Sequence, residues 1–459
     1  MTNLRGVGAR GDAARAILQR IASARDSFVL DFPRGCRHER NLPCSWADGL
    51  ILFGRDPRQV LEVDGAAVGR DPISILDDAS LLVERSGAAI AVGYVSYDAG
   101  GFTEPVAASR KPPGRTPLAR LAVYDEYFAW CPSTGRLVRH SARGVCEEEQ
   151  GFLRDAARTP RRAARRDVLP PLRGLTPNFT PEGYKAAVAA AREFILSGDI
   201  YEVNVSQRFT LPCDGRLDDL YLRLREYNPA PYGAFISSPR TTILCSSPEL
   251  FLRLEGGRVV TRPIKGTAKR REGLFEDDDA ARALALSEKD NAELAMVVDL
   301  ERNDLGRVCR FGTVKVAERA RVETFARVHH LVSTIEGTLR GAVTLADLFR
   351  ATFPGGSITG APKIRAMQII DELEPCRRGV YTGSIGYILP GGRAQFNIAI
   401  RTIVHEEGRL AVQVGGAVTA DSDPDAEYEE TLTKAEALFA ALGDGRAELS
   451  RAGRGRDVS

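Results

Sequence analysis

The stretch Ser384-Ile385-Gly386-Tyr387-Ile388-Leu389, Pro390-Gly391-Gly392, Arg393-Ala394-Gln395-Phe396-Asn397-Ile398-Ala399-Ile400-Arg401-Thr402-Ile403-Val404-His405, Glu406-Glu407-Gly408, Arg409-Leu410-Ala411-Val412-Gln413-Val414-Gly415-Gly416 decides the fold class. Three apolar runs are separated by two short Gly-containing turns, and no helix-length segment comes between them. Strands that follow strands in this way predict an antiparallel meander. The chain is therefore expected to be an α+β protein built on antiparallel sheets, and not a Rossmann or barrel enzyme with alternating strands and helices.

Similar signals recur upstream. Leu250-Phe251-Leu252-Arg253-Leu254 and Arg258-Val259-Val260-Thr261 flank Glu255-Gly256-Gly257, a hairpin signal. The runs Gly49 to Gly54 and Ala88 to Tyr97 read as strands of an N-terminal α+β segment over residues 15–150. Thr180 and Pro181 supply an N-cap and an N1 proline for a helix whose Tyr184, Val188, Ala191 and Ile195 share one face, and Gly198-Asp199 ends it. Residues 154–173 hold seven Arg, two Asp and three Pro, which describes an exposed connector (154–178) crossing within one compact body. The chemistry-bearing region is expected over 179–442, and the polar, Arg/Gly-rich residues 443–459 read as a disordered tail.

Composition narrows the function classes. A chain of 459 residues with 43% hydrophobic content can bury a large core. With 63 Lys+Arg against 61 Asp+Glu no global field favours nucleic acid or an anionic membrane, so an anionic ligand must be captured locally. The Arg-rich connector has no interleaved aromatics, which argues against a nucleic-acid partner. Neither a membrane span nor a signal-peptide core is visible, and a cytoplasmic location is the simplest expectation. The eight Cys and five His show no zinc-ligand spacing, so structural zinc is not expected; the thiols read mostly as core residues of a reducing compartment, with a Cys36–Cys44 pair the remote alternative.

Two clusters carry chemistry. Lys265 lies in the tight, Gly-flanked segment Arg262-Pro263-Ile264-Lys265-Gly266-Thr267 after a strand, a place for a nucleophilic amine. A three-residue loop, Gly256 to Arg258, would set Glu249 directly across the sheet from Lys265. A surface ion pair is the bland alternative. Further on, Glu427, Glu430 and Lys434 share one face of a helix begun by Asp423-Pro424, and carboxylates a turn apart can share a hard cation. Stabilisation of a helix N-terminus accounts for such acids equally well.

The segment Pro263-Ile264-Lys265-Gly266-Thr267 resembles a signature of the chorismate-utilising enzymes, the family of anthranilate synthase, the isochorismate and salicylate synthases and component I of aminodeoxychorismate synthase. Gly198 to Arg208, Val298 to Arg307, Phe353 to Lys363, Ala420 to Pro424 and Glu427 to Thr431 agree with it in order over residues 180–440. The resemblance implies two facing antiparallel sheets with helices packed outside. It implies that Glu293 and Glu430, with Glu427 as a third, bind Mg²⁺; that Lys265 is the nucleophile, Glu249 the acid and His330 a neighbour of the leaving hydroxyl, with His329 the bland residue beside it. Gln207, Gly266, Thr267, Arg302, Arg307, Ser357, Tyr381, Arg401, Gly415, Gly416 and Lys434 would bind substrate. A neutral Lys265 is expected, its pKa depressed by burial, Mg²⁺ and Arg302 or Arg307.

Lysine at 265 together with Gln207 is similar to the C4-aminating members, whereas anthranilate synthases carry alanine at the first position and isochorismate and salicylate synthases a lysine at the second. The implied activity is amination of chorismate at C4 to 4-amino-4-deoxychorismate for p-aminobenzoate and folate synthesis. Since no glutaminase signature is visible, a separate glutamine amidotransferase subunit would supply ammonia. Anthranilate synthase component I and a non-catalytic chorismate-binding subunit are the alternatives, and binding of a regulatory amino acid near Phe28 to Pro33 is left open.

Overall fold

The computed structural model describes residues 174–443 without a gap. Ahead of them it describes 26–147 apart from 33–49, 66–69, 87–88, 105–108, 110, 113, 132–135 and 142–143, with residues 18, 21 and 24 as well. Residues 154–173 of the proposed connector, almost all of the tail and the Cys36–Cys44 pair lie outside the described residues, whereas the end of the connector, 174–178, is described and carries the short strand Thr176–Pro177.

Two antiparallel sheets make up the body. The first runs from Gly360–Ala361 through Glu202–Pro212, Arg409–Val418, Thr402–Glu406, Thr241–Ser247, Tyr232–Ser237, Ser27–Phe32, Leu50–Gly54, Glu126–Cys131 and Arg136–Ser141 to Gly144–Glu147, with Thr176–Pro177 added beside Glu202–Pro212. The second runs from Ile264–Lys269 through Val328–Thr338, Arg258–Arg262, Leu250–Glu255, Arg393–Ile398, Ser384–Leu389, Ile90–Val95 and Ala119–Tyr124 to Gln59–Val63, with Lys315–Thr324 paired to Val328–Thr338. Because N-terminal strands lie inside both sheets, the N-terminal segment and the chemistry-bearing region form one body.

Period-two alternation explains the layering. Phe28, Leu30, Leu52 and Ala234 of the first sheet meet Val92, Tyr94, Ala122, Ile385 and Tyr387 of the second in one buried cluster between the sheets. Their alternates Val29, Ile51, Phe53 and Phe235 face the helices Leu217–Tyr227 and Pro424–Ala441. On the far side Ala91, Leu121 and Val123 pack with the helices Ile75–Ser86 and Leu345–Thr352. Among the described residues no helix is long and apolar enough to cross a membrane.

The deciding stretch folds differently from a single meander. Ser384–Leu389 and Arg393–Ile398 form a hairpin in the second sheet, whereas Thr402–Glu406 and Arg409–Val418 form one in the first. The middle apolar run breaks at Arg401, whose φ of 53° lies in the left-handed region. The chain changes sheet there and leaves Arg401 between the layers. The other hairpin is also tighter than expected: Glu255 pairs with Arg258 across the two-residue loop Gly256-Gly257, both at positive φ, as a primed turn requires. A register shift follows, and Lys265 pairs with Leu331 instead of Glu249.

The helix Pro181–Leu196 begins as expected: Thr180 Oγ1 accepts from the Gly183 amide at 3.0 Å, and Tyr184, Val188 and Ala191 are buried. Asp423 caps Pro424–Ala441 by accepting from Ala426 N–H at 2.9 Å.

Candidate active site

Lys265 is the second residue of Ile264–Lys269, within the strand and not in a turn. The tightness seen in the sequence belongs to a bulge at Gly266, φ 72°, where a Cβ would lie 2.8 Å from Asp290 Oδ1. The amine is buried and donates to Glu202 Oε1 at 2.5 Å, across from the second sheet to the first. Glu202 had not been singled out from the sequence, although it lies in the Gly198 to Arg208 motif. Burial pushes Lys265 toward the neutral amine, but Glu202, Glu293 and Glu249 outweigh it and raise its pKa above the ordinary lysine value. The expectation of a neutral resting lysine is corrected accordingly.

Glu249 is buried beside it and accepts from Ser357 Oγ, while its own backbone carbonyl takes the Ile398 amide. Burial pushes its carboxyl up to about 7, against the lowering effects of Ser357, Lys265 and the Ile264 amide. A second acid not foreseen from the sequence, Glu301, accepts from Thr261 Oγ1 at 2.9 Å; burial, reinforced by Glu249, pushes it up to about 8.

Arg401 donates from Nη1 to the Lys434 carbonyl at 2.7 Å and is coupled electrostatically to Tyr381 and Glu430. Burial pushes the Tyr381 phenol up to about 12. His330 lies on the neighbouring strand, with Nδ1 3.0 Å from Thr267 Oγ1 and 3.4 Å from the Gly266 carbonyl. Burial and the Arg401 charge push it down to about 4, so its ring is neutral at pH 7. His329 is held between Thr324 and Asp277 at 3.0 Å each, a structural role.

The third group comes from the helix Pro424–Ala441. Lys434 Nζ bridges Glu430 Oε1 at 2.6 Å and the Gly415 carbonyl at 3.0 Å. Gln207 donates to Thr431 Oγ1 at 2.6 Å. Glu427 is buried, with Oε1 accepting from Ser422 Oγ at 2.7 Å and Oε2 without a hydrogen-bond partner among the described residues. A Cβ at Gly416 would sit 3.1 Å from Glu427 Oε2 and 3.7 Å from both Glu430 Oε1 and Lys434 Nζ, so glycine keeps this cradle open. Burial raises Glu427, whereas at Glu430 the lysines Lys434, Lys289 and Lys265 together outweigh burial and lower it. Glu293 of Glu288–Gly306 is coupled to Lys265 and Glu202, its carboxyl raised by burial against the pull of Lys265. Hard carboxylate oxygens, one of them orphaned, suit a divalent cation of the Mg²⁺ type. As they stand, no three such side chains among the described residues converge on one point.

Arg302 and Arg307 do not join the site. Arg302 is exposed and paired with Asp299 at 2.9 Å; Arg307 is exposed and paired with Glu104 at 2.7 Å. On a helix turning about 100° per residue, the nine positions from Glu293 carry Arg302 about 180° round to the opposite face. Neither arginine can depress the Lys265 pKa.

A family model described as chorismate binding enzyme matches residues 39–440. Anthranilate synthase component 1 3 of Haloarcula marismortui is 38% identical over 428 residues, covering 87% of this chain and 84% of its own. Aminodeoxychorismate synthase component 1 of Bacillus subtilis is 46% identical over 264 residues, 58% of this chain and 56% of that one. The crystal structure of anthranilate synthase component I from Streptococcus pneumoniae aligns with a TM-score of 0.73 at 31% identity, covering 88% of this chain and 95% of that one.

Proposed function

This chain belongs to the chorismate binding enzyme family, and on that premise we propose that it aminates chorismate at C4 to give 4-amino-4-deoxychorismate. The observation that carries the proposal is the buried Lys265 amine, set among Glu202, Glu249 and Glu293.

Chorismate carries two carboxylates. Arg401, with Tyr381 and the backbone near Gly415 and Gly416, would take the enolpyruvyl carboxylate, since a guanidinium can bind both oxygens of a planar anion. Glu293, Glu427 and Glu430 would hold Mg²⁺, which when bound supplies positive charge for the ring carboxylate in an otherwise acidic pocket. The Lys265 amine adds to C2 while the C4 hydroxyl departs as water with the proton of Glu249. Ammonia then attacks C4 and releases the lysine. The raised pKa of Glu249 suits an acid that must hold its proton near neutral pH. His330, neutral beside Thr267, would position the leaving hydroxyl. Ammonia would come from a glutamine amidotransferase partner, and the product would serve p-aminobenzoate and folate synthesis.

Anthranilate formation is the second reading, favoured by the coverage of the Haloarcula and Streptococcus relatives. Incubation with chorismate, Mg²⁺ and ammonium, read by mass spectrometry, separates the two. Aminodeoxychorismate is expected, lost in Lys265→Ala; fluorescent anthranilate insensitive to that substitution would overturn the proposal.

A further inference from the structure

Glu202 opens the strand Glu202–Pro212 in the first sheet, where it pairs with Ala361 of the edge strand Gly360–Ala361. Its side chain is fully buried. Gly360, at φ 144°, makes this pairing possible, because a Cβ there would lie 2.1 Å from the Glu202 carbonyl oxygen. Lys265 Nζ approaches from the second sheet and is, among the described residues, the one hydrogen-bond donor to this carboxylate; Oε2 is buried without any partner. The amine and this carboxylate are therefore already joined by the bond along which a proton can pass, with no other donor in competition among the described residues. Glu293 from the helix Glu288–Gly306, Glu249 ahead of the strand Leu250–Glu255 and Glu430 from the helix Pro424–Ala441 face the same amine. None of the three makes the direct hydrogen bond.

Resting on the assignment of Lys265 as nucleophile, we propose that Glu202 is the base that frees its amine and the acid that restores it. In the resting pair Lys265 is an ammonium and Glu202 a carboxylate. The proton passes along the existing hydrogen bond to Glu202, leaving a neutral amine and a neutral carboxyl. The amine lone pair forms the bond to C2 as the C4 hydroxyl leaves with the Glu249 proton as water, and the adduct nitrogen becomes a secondary ammonium. Ammonia forms the new bond at C4, the C2–N bond breaks with its electrons returning to Lys265, and the carboxylate of Glu249 takes a proton from the new C4 ammonium group. Glu202 then returns its proton to Lys265. The sum is chorismate plus ammonia giving aminodeoxychorismate plus water, with both glutamates and the lysine as they began.

The test compares the full-length chain with its Glu202→Gln and Glu202→Asp variants. Glutamine keeps an oxygen to receive the lysine N–H but accepts no proton and carries no charge. Brief acetylation by acetic anhydride at pH 8, quantified at Lys265 by peptide mass spectrometry, reads the free amine without turnover. In Glu202→Gln, labelling at least tenfold faster than wild type is expected together with kcat lowered about a hundredfold and KM within threefold, the loss typical of a missing general base. Glu202→Asp, which keeps the carboxylate, is expected to recover at least tenfold of that kcat. A Glu202→Gln enzyme whose kcat stays within threefold of wild type, or rises with its amine reactivity, would overturn the proposal, as would a folded Glu202→Asp enzyme no faster than Glu202→Gln. Failure of the C4-amination reading is a separate outcome: the wild-type product would then be indifferent to Lys265→Ala, whatever the labelling of Lys265 shows.

Discussion

Ser357 donates a hydrogen bond from its hydroxyl to Oε1 of Glu249, which precedes it by 108 positions. The 3-10 turn Gly356–Ile358 carries the serine into the buried site, packed on Leu300 and Glu301 through Gly356. This bond favours the charged carboxylate, burial favours the protonated acid, and burial wins by lifting Glu249 to about 7. An acid that must be protonated to act loses its active form as pH rises through that value. The rate is therefore expected to fall about tenfold per pH unit well above pH 7. Ser357→Ala removes a group that lowers the pKa, so the alkaline limb of kcat/KM should move to higher pH. A limb that stays put or moves to lower pH would sever Glu249 from the acid role.

Glu301 offers a test on stability. Its carboxyl is held at about 8 in the folded protein against an ordinary 4.5. Between these values the folded state keeps a proton that the unfolded state has released, so stability is full below about pH 4.5 and is lost as pH rises toward 8. At 1.36 kcal/mol per pKa unit, a shift of about 3.5 units makes the loss on the order of 4–5 kcal/mol by pH 8. Glu301→Gln retains an acceptor for Thr261 and does not ionise. Thermal melting should find it close to wild type at pH 5 and clearly more stable at pH 8.

Local chemistry made much of this molecule legible from sequence. Thr180 with Pro181, and Asp423 with Pro424, mark helix starts because a cap is satisfied within three residues of itself. The antiparallel class followed from turns at Gly391-Gly392 and Glu407-Gly408, again local signals. What escaped depends on long-range placement. Lys265 and Glu202 are 63 positions apart and on different sheets, so no spacing rule joins them. The sheet change at Arg401 rests on one left-handed residue inside an apolar run that otherwise reads as unbroken strand. The one-residue difference in the Gly256-Gly257 loop was enough to misplace Glu249, because register passes through every later pair.

Helix phase gives a third expectation. Arg302 sits in a motif shared with site residues but projects from the opposite face to Glu293 and, among the described residues, forms an ion pair with Asp299. An exposed pair of this kind contributes little, on the order of 0.5 kcal/mol or less. Arg302→Ala should leave kcat/KM within about twofold and the melting temperature nearly unchanged. A large rise in KM would return this side chain to the substrate.

The cation cradle can be examined without turnover. Glu427 Oε2 is buried without a hydrogen-bond partner among the described residues and borders the open face of Gly416 together with Glu430 Oε1 and Lys434 Nζ, an oxygen left available to a cation or a proton. Burial raises the Glu427 pKa, so acidification should weaken a cation by competition for the same oxygen. Calorimetric titration of the full chain with Mg²⁺ in the presence of chorismate should show binding that declines from pH 8 to pH 6. Glu427→Gln, which keeps the Ser422 contact but not the charge, should raise the Mg²⁺ needed for half-saturation at least tenfold. Chelation by EDTA should abolish turnover and added Mg²⁺ restore it. Equal Mg²⁺ affinity in Glu427→Gln and wild type would remove Glu427 from the cation site, leaving its buried charge to be balanced by protonation alone.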